Sequence, residues 1–499
     1  MQDDTAIESP RRLRRNLSVW QAVGLSVALM APSMAANINP QATAMTTGRA
    51  VPLAFLIAAV AVLLVGYGFV RLCQYFQHSG SVYAFVGLTL GPRTGVVSGL
   101  ALFATYTFYG VVTSSASGIL GTAFLDQTGI WSNPPTWVPF LIAAISLAGA
   151  LLLTVTPAKR GTSTLLGIEG ATVAIIVIVS VVIPLRLIAR QAPHGGSQHF
   201  TLDVFTVAPG TATSDLFLGI VFGFLSFAGF EAAATLGEET SHPRRDIPRA
   251  ILGTAIFGGI FFVVVTAIEM MGFGSDAAGV KAFTASGSLL GDLGSSYIGS
   301  WVGDLISLGA TVSAFGCCLA CTVGASRLLF AMNRDLVGEG RGLATLSTAG
   351  TPARSAAVVT GLMVLAFVVM IAGGAKAEQT FAWSGTMGTL ILLVAYLITT
   401  VGAIRLVFVQ RRMQVPSWQV VIPVLAIVVL GYTIFRNISP WPPPGAARAL
   451  PIVSGAWILL SIVVVLSFPR AAARLGRRLA TDEGLATDSD ARAERAADA

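Results

Sequence analysis

The sequence predicts an all-α polytopic membrane protein of about twelve transmembrane helices, and three observations predict it. Hydrophobic residues make up 54% of the 499 positions and charged residues only 11%, too few polar groups to cover a water-soluble domain of this length. The apolar residues fall into blocks of roughly 20 or more, the length a helix needs to cross a bilayer. Ala, Val, Leu and Gly dominate these blocks, as in helices packed against one another in lipid.

The blocks lie, in order, at 18–46, 51–71, 95–124, 137–156, 162–189, 213–236, 249–273, 299–332, 355–374, 380–405, 417–436 and 450–468. The first, with "VGLSVALMAPSMAANINPQATAM", is interrupted. Pro32 removes a backbone donor and clashes with the preceding turn, and Ser33, Asn37 and Asn39 are polar at membrane depth. The second ends near Cys73. The third carries "FATYTFYG", which puts Thr105 and Tyr109 one turn apart on one face, either to read a substrate side chain or to pack the core. The fifth carries Glu169. The sixth, with "FLGIVFGFLSFAGFEAAATL", is interrupted too: Gly223 and Gly229 weaken the helix around Ser226, and Glu231 follows. Glu269 in the seventh block and Asp304 in the eighth sit near outer ends, where solvation is the default. Cys317, Cys318 and Cys321 lie inside the eighth as small packing residues.

Residues 1–16 and 471–499 read as polar tails, 17–410 as the core and 411–470 as two added spans. The first apolar run follows a polar leader and has no cleavage site of a signal peptide. Of the 31 Lys and Arg residues, 24 fall on the side of the termini and 7 on the other. The positive-inside rule places both termini in the cytoplasm of a cell-membrane protein. The net charge of +7 is therefore a topology signal and not a nucleic-acid face, since the basic residues are dispersed. His78, His194, His199 and His242 all fall in loops, which argues against a membrane-embedded metal site.

Broken backbone inside a membrane is tolerated where it faces protein or a water-filled cavity. The two breaks sit at matching places if spans 1–5 and 6–10 are inverted repeats, which points to a substrate site near the midplane. Half-helix N-termini offer N–H groups to a carboxylate and half-helix C-termini offer carbonyls to an ammonium. Glu231 is either a structural carboxylate bonded to the unwound backbone of its own helix or a coupling group that exchanges a proton. A carboxylate at the bilayer centre costs about 2.5 kcal/mol or more, so it needs a partner or a role. Glu169 either pairs with a basic loop residue or serves as a second coupling group.

Three stretches carry a family resemblance. "FAGFEAAATLGEETSHPRRDIPRAI" (227–251), "HSGSVYAFVGLTLGPRTG" (78–95) and "SRLLFAMNRD" (326–335) resemble the amino acid–polyamine–organocation permeases. The resemblance covers roughly residues 17–410. It implies the leucine-transporter fold, a 5+5 inverted repeat with two C-terminal helices added, and alternating access. It implies that a substrate α-carboxylate rests on N–H groups around Met30, Ala31, Pro32, Ser33 and Met34. The α-ammonium would meet the groups around Ser226, Phe227 and Ala228, and Phe227 or Phe230 would close over the substrate. The third span, with Thr105 and Tyr109, would line the pocket. The chain departs from its relatives in having "MAPSMAA" at the first break and Glu169, not lysine, in the fifth span.

The function expected is secondary transport of amino acids or related amines, by proton-coupled symport or exchange, with Glu231 and Glu169 as coupling groups. A non-transporting sensor or accessory subunit is the alternative. A membrane enzyme is disfavoured, because no metal-ligand cluster, nucleotide loop or suitably spaced carboxylate pair is present. No catalytic residue, metal or cofactor is assigned. The expected partners are a small-molecule substrate, protons and the bilayer.

Overall fold

The computed structural model describes residues 18–76, 81–156, 159–193, 198–236, 240–337, 342–347 and 350–468. Both tails lie outside these, as do His78 and His194. The elements among them are helices. In order they are α1 (Val19–Met30), α2 (Pro32–Thr47), α3 (Val51–Tyr75), α4 (Ser81–Leu90), α5 (Pro92–Gln127), α6 (Val138–Val155), α7 (Lys159–Ile188) and α8 (Leu216–Phe227). There follow α9 (Pro243–Phe273), α10 (Ala277–Ala285), α11 (Leu289–Tyr297), α12 (Ser300–Val337), α13 (Ala353–Ala372), α14 (Ala377–Ile404), α15 (Val421–Arg436) and α16 (Ala446–Ser467).

Eleven helical stretches among the described residues are long and apolar enough to cross a membrane. The first, Val19–Tyr75, holds 57 residues. That is far more than the roughly 20 needed for one crossing. It contains α1, α2 and α3, and the chain turns between α2 and α3 at Gly48, where φ is +56°. A side chain is disfavoured in that conformation and glycine adopts it freely.

Local chemistry sets the helix starts. Proline stands in the first turn of α2, α3, α5, α6 and α9, where its missing N–H would have had no intrahelical partner. Asp276 caps α10 by accepting the Gly279 N–H at 2.7 Å. Burial then sorts the helices. The α5 stretch and the 213–236 stretch are almost wholly enclosed, whereas α6, α7, α13, α15 and α16 leave most of their apolar surface uncovered. Leu152, Ile178, Leu185, Val369 and Leu466 face outward. The result is an inner group built on α2, α5, α8, α12 and α14, with a ring of helices whose outer faces are hydrocarbon.

Candidate functional site

Both interrupted blocks are broken where the proline and glycines predict. Helix α1 stops at Met30, Ala31 adopts φ 44° and ψ 60°, and α2 begins at Pro32. A left-handed non-glycine residue costs about 1–2 kcal/mol, and Pro32 disfavours the α conformation for the residue before it. Helix α8 stops at Phe227, Gly229 takes φ +102°, and a 3-10 turn resumes at Ala232–Leu236.

The two breaks meet. A Cβ built on Gly229 would lie 2.8 Å from Cβ of Leu29, at the end of α1. The Ser26 hydroxyl donates to the Phe230 carbonyl at 3.2 Å and accepts the Ala233 N–H at 3.0 Å. The Asn39 amide donates to the Ser226 hydroxyl at 2.7 Å, and the Thr43 hydroxyl to the Gly219 carbonyl at 3.1 Å. Each broken element thus satisfies backbone groups or polar side chains of the other, as irregular backbone away from water requires.

Between them is a cavity of about 20 Å³, the room of one ordered water. Leu29, Met30 and Met34 line it from the first break, and Leu225, Ala228, Gly229 and Glu231 from the second. Thr105, Tyr106, Tyr109, Val112 and Thr113 line it from α5, Cys317 and Cys321 from α12, and Leu392 from α14.

Six of the candidate substrate and coupling residues therefore share the cavity: Met30, Met34, Thr105, Tyr109, Ala228 and Glu231. Ala31 is the hinge itself. Ser226 turns away, donating to the Phe222 carbonyl at 2.9 Å. Phe227 packs edge-on to Phe262 with centroids 5.4 Å apart, and Phe230 packs between Phe69 and Tyr396. Neither phenylalanine lines the cavity; the aromatics that do are Tyr106 and Tyr109. Tyr106 is not among the residues the sequence singles out, although Thr105 and Tyr109 mark its stretch of α5. Cys317 and Cys321, expected as packing residues, are four apart and present one helix face to the cavity. Thr105 donates to the Gly388 carbonyl at 3.3 Å, and the Tyr109 hydroxyl lies 3.0 Å from that of Thr389.

The carboxylates divide by partner. Glu231 lines the cavity, and its Oε2 is buried without a hydrogen-bond partner among the described residues. Glu169 is buried and accepts the Ser33 N–H at 2.9 Å and the Ser33 hydroxyl at 2.7 Å. Its seen partners are therefore the start of α2 rather than a basic loop residue. Glu269 is fully buried, and neither of its oxygens has a partner among the described residues. The expectation that it is solvated is wrong, because the neighbouring helices close over that end of α9.

A larger vestibule of about 660 Å³ lies in line with the cavity. Ile38 of α2 and Ile119 of α5 line it, about one to two turns beyond Met34 and Val112. Its rim includes Ser286, Gly287, Lys376 and Phe381. Asn37 fastens the rim to α2: its side-chain oxygen accepts the Ser288 hydroxyl and the Leu290 N–H, each at 2.9 Å. Nearby, Asp292 accepts from Gln127 at 2.8 Å and from Ser286 at 2.6 Å. Burial pushes the Asp292 carboxyl above the usual carboxylate range, and those two hydrogen bonds oppose the shift.

Comparison with known proteins gives a consistent picture. The amino acid permease family description matches residues 23–438. The low-affinity putrescine importer PlaP of Escherichia coli (strain K12) is 25% identical over 326 residues, 65% of this chain and 68% of the importer. The branched-chain amino acid permease BcaP of Lactococcus lactis is 22% identical over 479 residues, 92% of this chain and 96% of the permease. Among solved structures, a mutant manganese transporter of Eremococcus coleocola superposes with a TM-score of 0.53 at 12% identity, covering 95% of this chain and 99% of that one. That likeness concerns the fold alone.

Proposed function

Since the chain belongs to the amino acid permease family, we propose that it is a secondary active transporter of amino acids or related amines in the cell membrane, working by alternating access with proton coupling at Glu231. The observation that carries this reading is the cavity where the two breaks meet, with one oxygen of the Glu231 carboxylate unpartnered against it. A helix C-terminus carries a partial negative charge. The ends of α1 and α8 both face this cavity through Met30 and Ala228, so a substrate ammonium finds two carbonyl ends and a carboxylate.

The cavity is too small for any amino acid, so binding requires the walls to part. The in-line vestibule suits that reading: it leads toward the cavity along α2 and α5, and opening the layer between Met34 and Ile38 would join the two. Taking Val19–Tyr75 as two crossings gives twelve spans, with the breaks at equivalent places in two repeats. Lipid then covers the outward faces of α6, α13 and α16.

Uptake into proteoliposomes tests the function. With a panel of amino acids and amines, at least one compound is expected to accumulate, and an imposed proton gradient is expected to change its rate. No uptake by folded protein would sink the transporter reading and favour a sensor or accessory subunit. The orientation has its own test. A reporter active only outside the cytoplasm, fused after Ala499, is expected to stay silent, and a signal from it would overturn the cytoplasmic placement of the termini.

A further inference from the structure

The geometry points to a substrate that is an organic amine without a carboxylate, with Glu169 setting that preference by occupying the seat an α-carboxylate would take. The inference rests on the transporter reading and narrows its substrate class.

A substrate carboxylate in this cavity would need hydrogen-bond donors, and the natural source is the N-terminus of α2. A helix start offers up to four N–H groups with no intrahelical partner. Here the donors are used up. Pro32 has none. The Ser33 N–H and hydroxyl both go to Glu169, at 2.9 and 2.7 Å. The Ala35 N–H goes to the Ala31 carbonyl at 2.8 Å. At this helix start only the Met34 N–H is left. Glu169 also supplies the negative charge that this helix end favours, so a second carboxylate beside it would meet like-charge repulsion.

The other resumption of the chain, after Gly229, carries its own carboxylate, since Glu231 lines the cavity beside Gly229. What the cavity offers is of the opposite kind: Glu231 lines it, and Oε2 of that carboxylate is buried without a hydrogen-bond partner among the described residues. Tyr106 and Tyr109 also line the cavity, and an aromatic ring attracts a cation within about 6 Å of its centre. The side-chain oxygens of Thr105 and Thr113 are turned to backbone carbonyls, so they do not replace the missing anion donors. A cavity whose neighbouring positive helix end already holds Glu169 and whose lining carboxylate keeps an unpartnered oxygen selects for charge +1 over a zwitterion.

The test uses matched pairs that differ by a carboxylate: putrescine and ornithine, cadaverine and lysine, isopentylamine and leucine, phenethylamine and phenylalanine. Equilibrium binding to the purified full-length protein is measured by radioligand or calorimetry, separately from uptake. In the pairs that bind, the amine is expected to bind at least tenfold more tightly than its parent amino acid. Amino acids that bind as tightly as their amines would overturn the assignment of Glu169 while leaving the transporter reading intact. Absence of binding and of uptake for every compound would overturn both. Glu169→Ala frees the Ser33 donors and is expected to raise amino-acid affinity at least tenfold relative to the amine. Glu169→Gln keeps an oxygen for the Ser33 N–H and is expected to preserve the amine preference. A folded Glu169→Ala protein with an unchanged ratio would overturn the proposal, and if that variant does not fold the wild-type ratio decides.

Discussion

Replacing Glu231 by Gln is expected to weaken amine binding by about tenfold to a hundredfold and to flatten the pH dependence of transport. The first effect follows from the unpartnered Oε2 against the cavity. A hydrogen bond to a charged group contributes about 1.5–3 kcal/mol, which converts to that range of affinity. The second follows from mass action. A proton and a substrate ammonium compete for one carboxylate, so each lowers the affinity for the other by the same factor. Apparent amine affinity in the unmodified protein should therefore fall as pH falls, and rise as pH rises until Glu231 is fully ionised. Glutamine keeps the size of the side chain and holds neither cation in the same way. Binding measured across pH 5–9, an interval chosen to bracket a perturbed carboxyl group, separates the cases. A Glu231→Gln protein with the unaltered pH profile and affinity would make Glu231 structural and leave Glu169 and Glu269 as the carboxylates to test next.

Gly229→Val is expected to abolish transport and to lower thermal stability sharply. Gly229 has φ +102°, and a Cβ there would lie 2.8 Å from both Cβ and Cγ of Leu29. A β-branched side chain at positive φ is a genuine outlier, and residues forced into such backbone cost about 1–3 kcal/mol before any clash is counted. The clash itself falls on the contact that joins the two breaks, so relief requires moving α1 away from the 3-10 turn. Gly253 is the control. It sits within α9, and a Cβ there would meet nothing within 4 Å. Gly253→Ala should leave transport unchanged and add up to about 1 kcal/mol of stability through helix propensity. Thermal unfolding of both proteins in the same detergent, alongside uptake, checks the pair. Equal behaviour of the two variants would mean that the second break has no conformational requirement.

The contrast between these glycines also marks what the sequence by itself determined. Block lengths and hydropathy located each long helix within a few residues, because a bilayer fixes how many apolar residues a span must have. Pro32 and Gly229 located both breaks, because a missing donor and a positive φ are properties of single residues. Glu231 stood out because a carboxylate in an apolar run demands a reason. Those inferences are local, and one sequence carries them.

The partner of each side chain was decided only by the tertiary structure. Ser33 and Glu169 lie 136 positions apart, and nothing near either residue says that they meet. From the sequence, Ser33 is a donor to substrate and Glu169 either the partner of a loop cation or a second coupling group. Packing α7 beside the start of α2 joined the two residues to each other instead. Phe227 and Phe230 sit in the sixth span as expected, yet their rings face Phe262 and the Phe69–Tyr396 pair. A helix of about 3.6 residues per turn separates neighbours by about 100°, and the sequence cannot set the absolute rotation of a helix against its neighbours. That rotation brings Tyr106 to the cavity and buries Glu269, and it emerges only when the helices pack as a set.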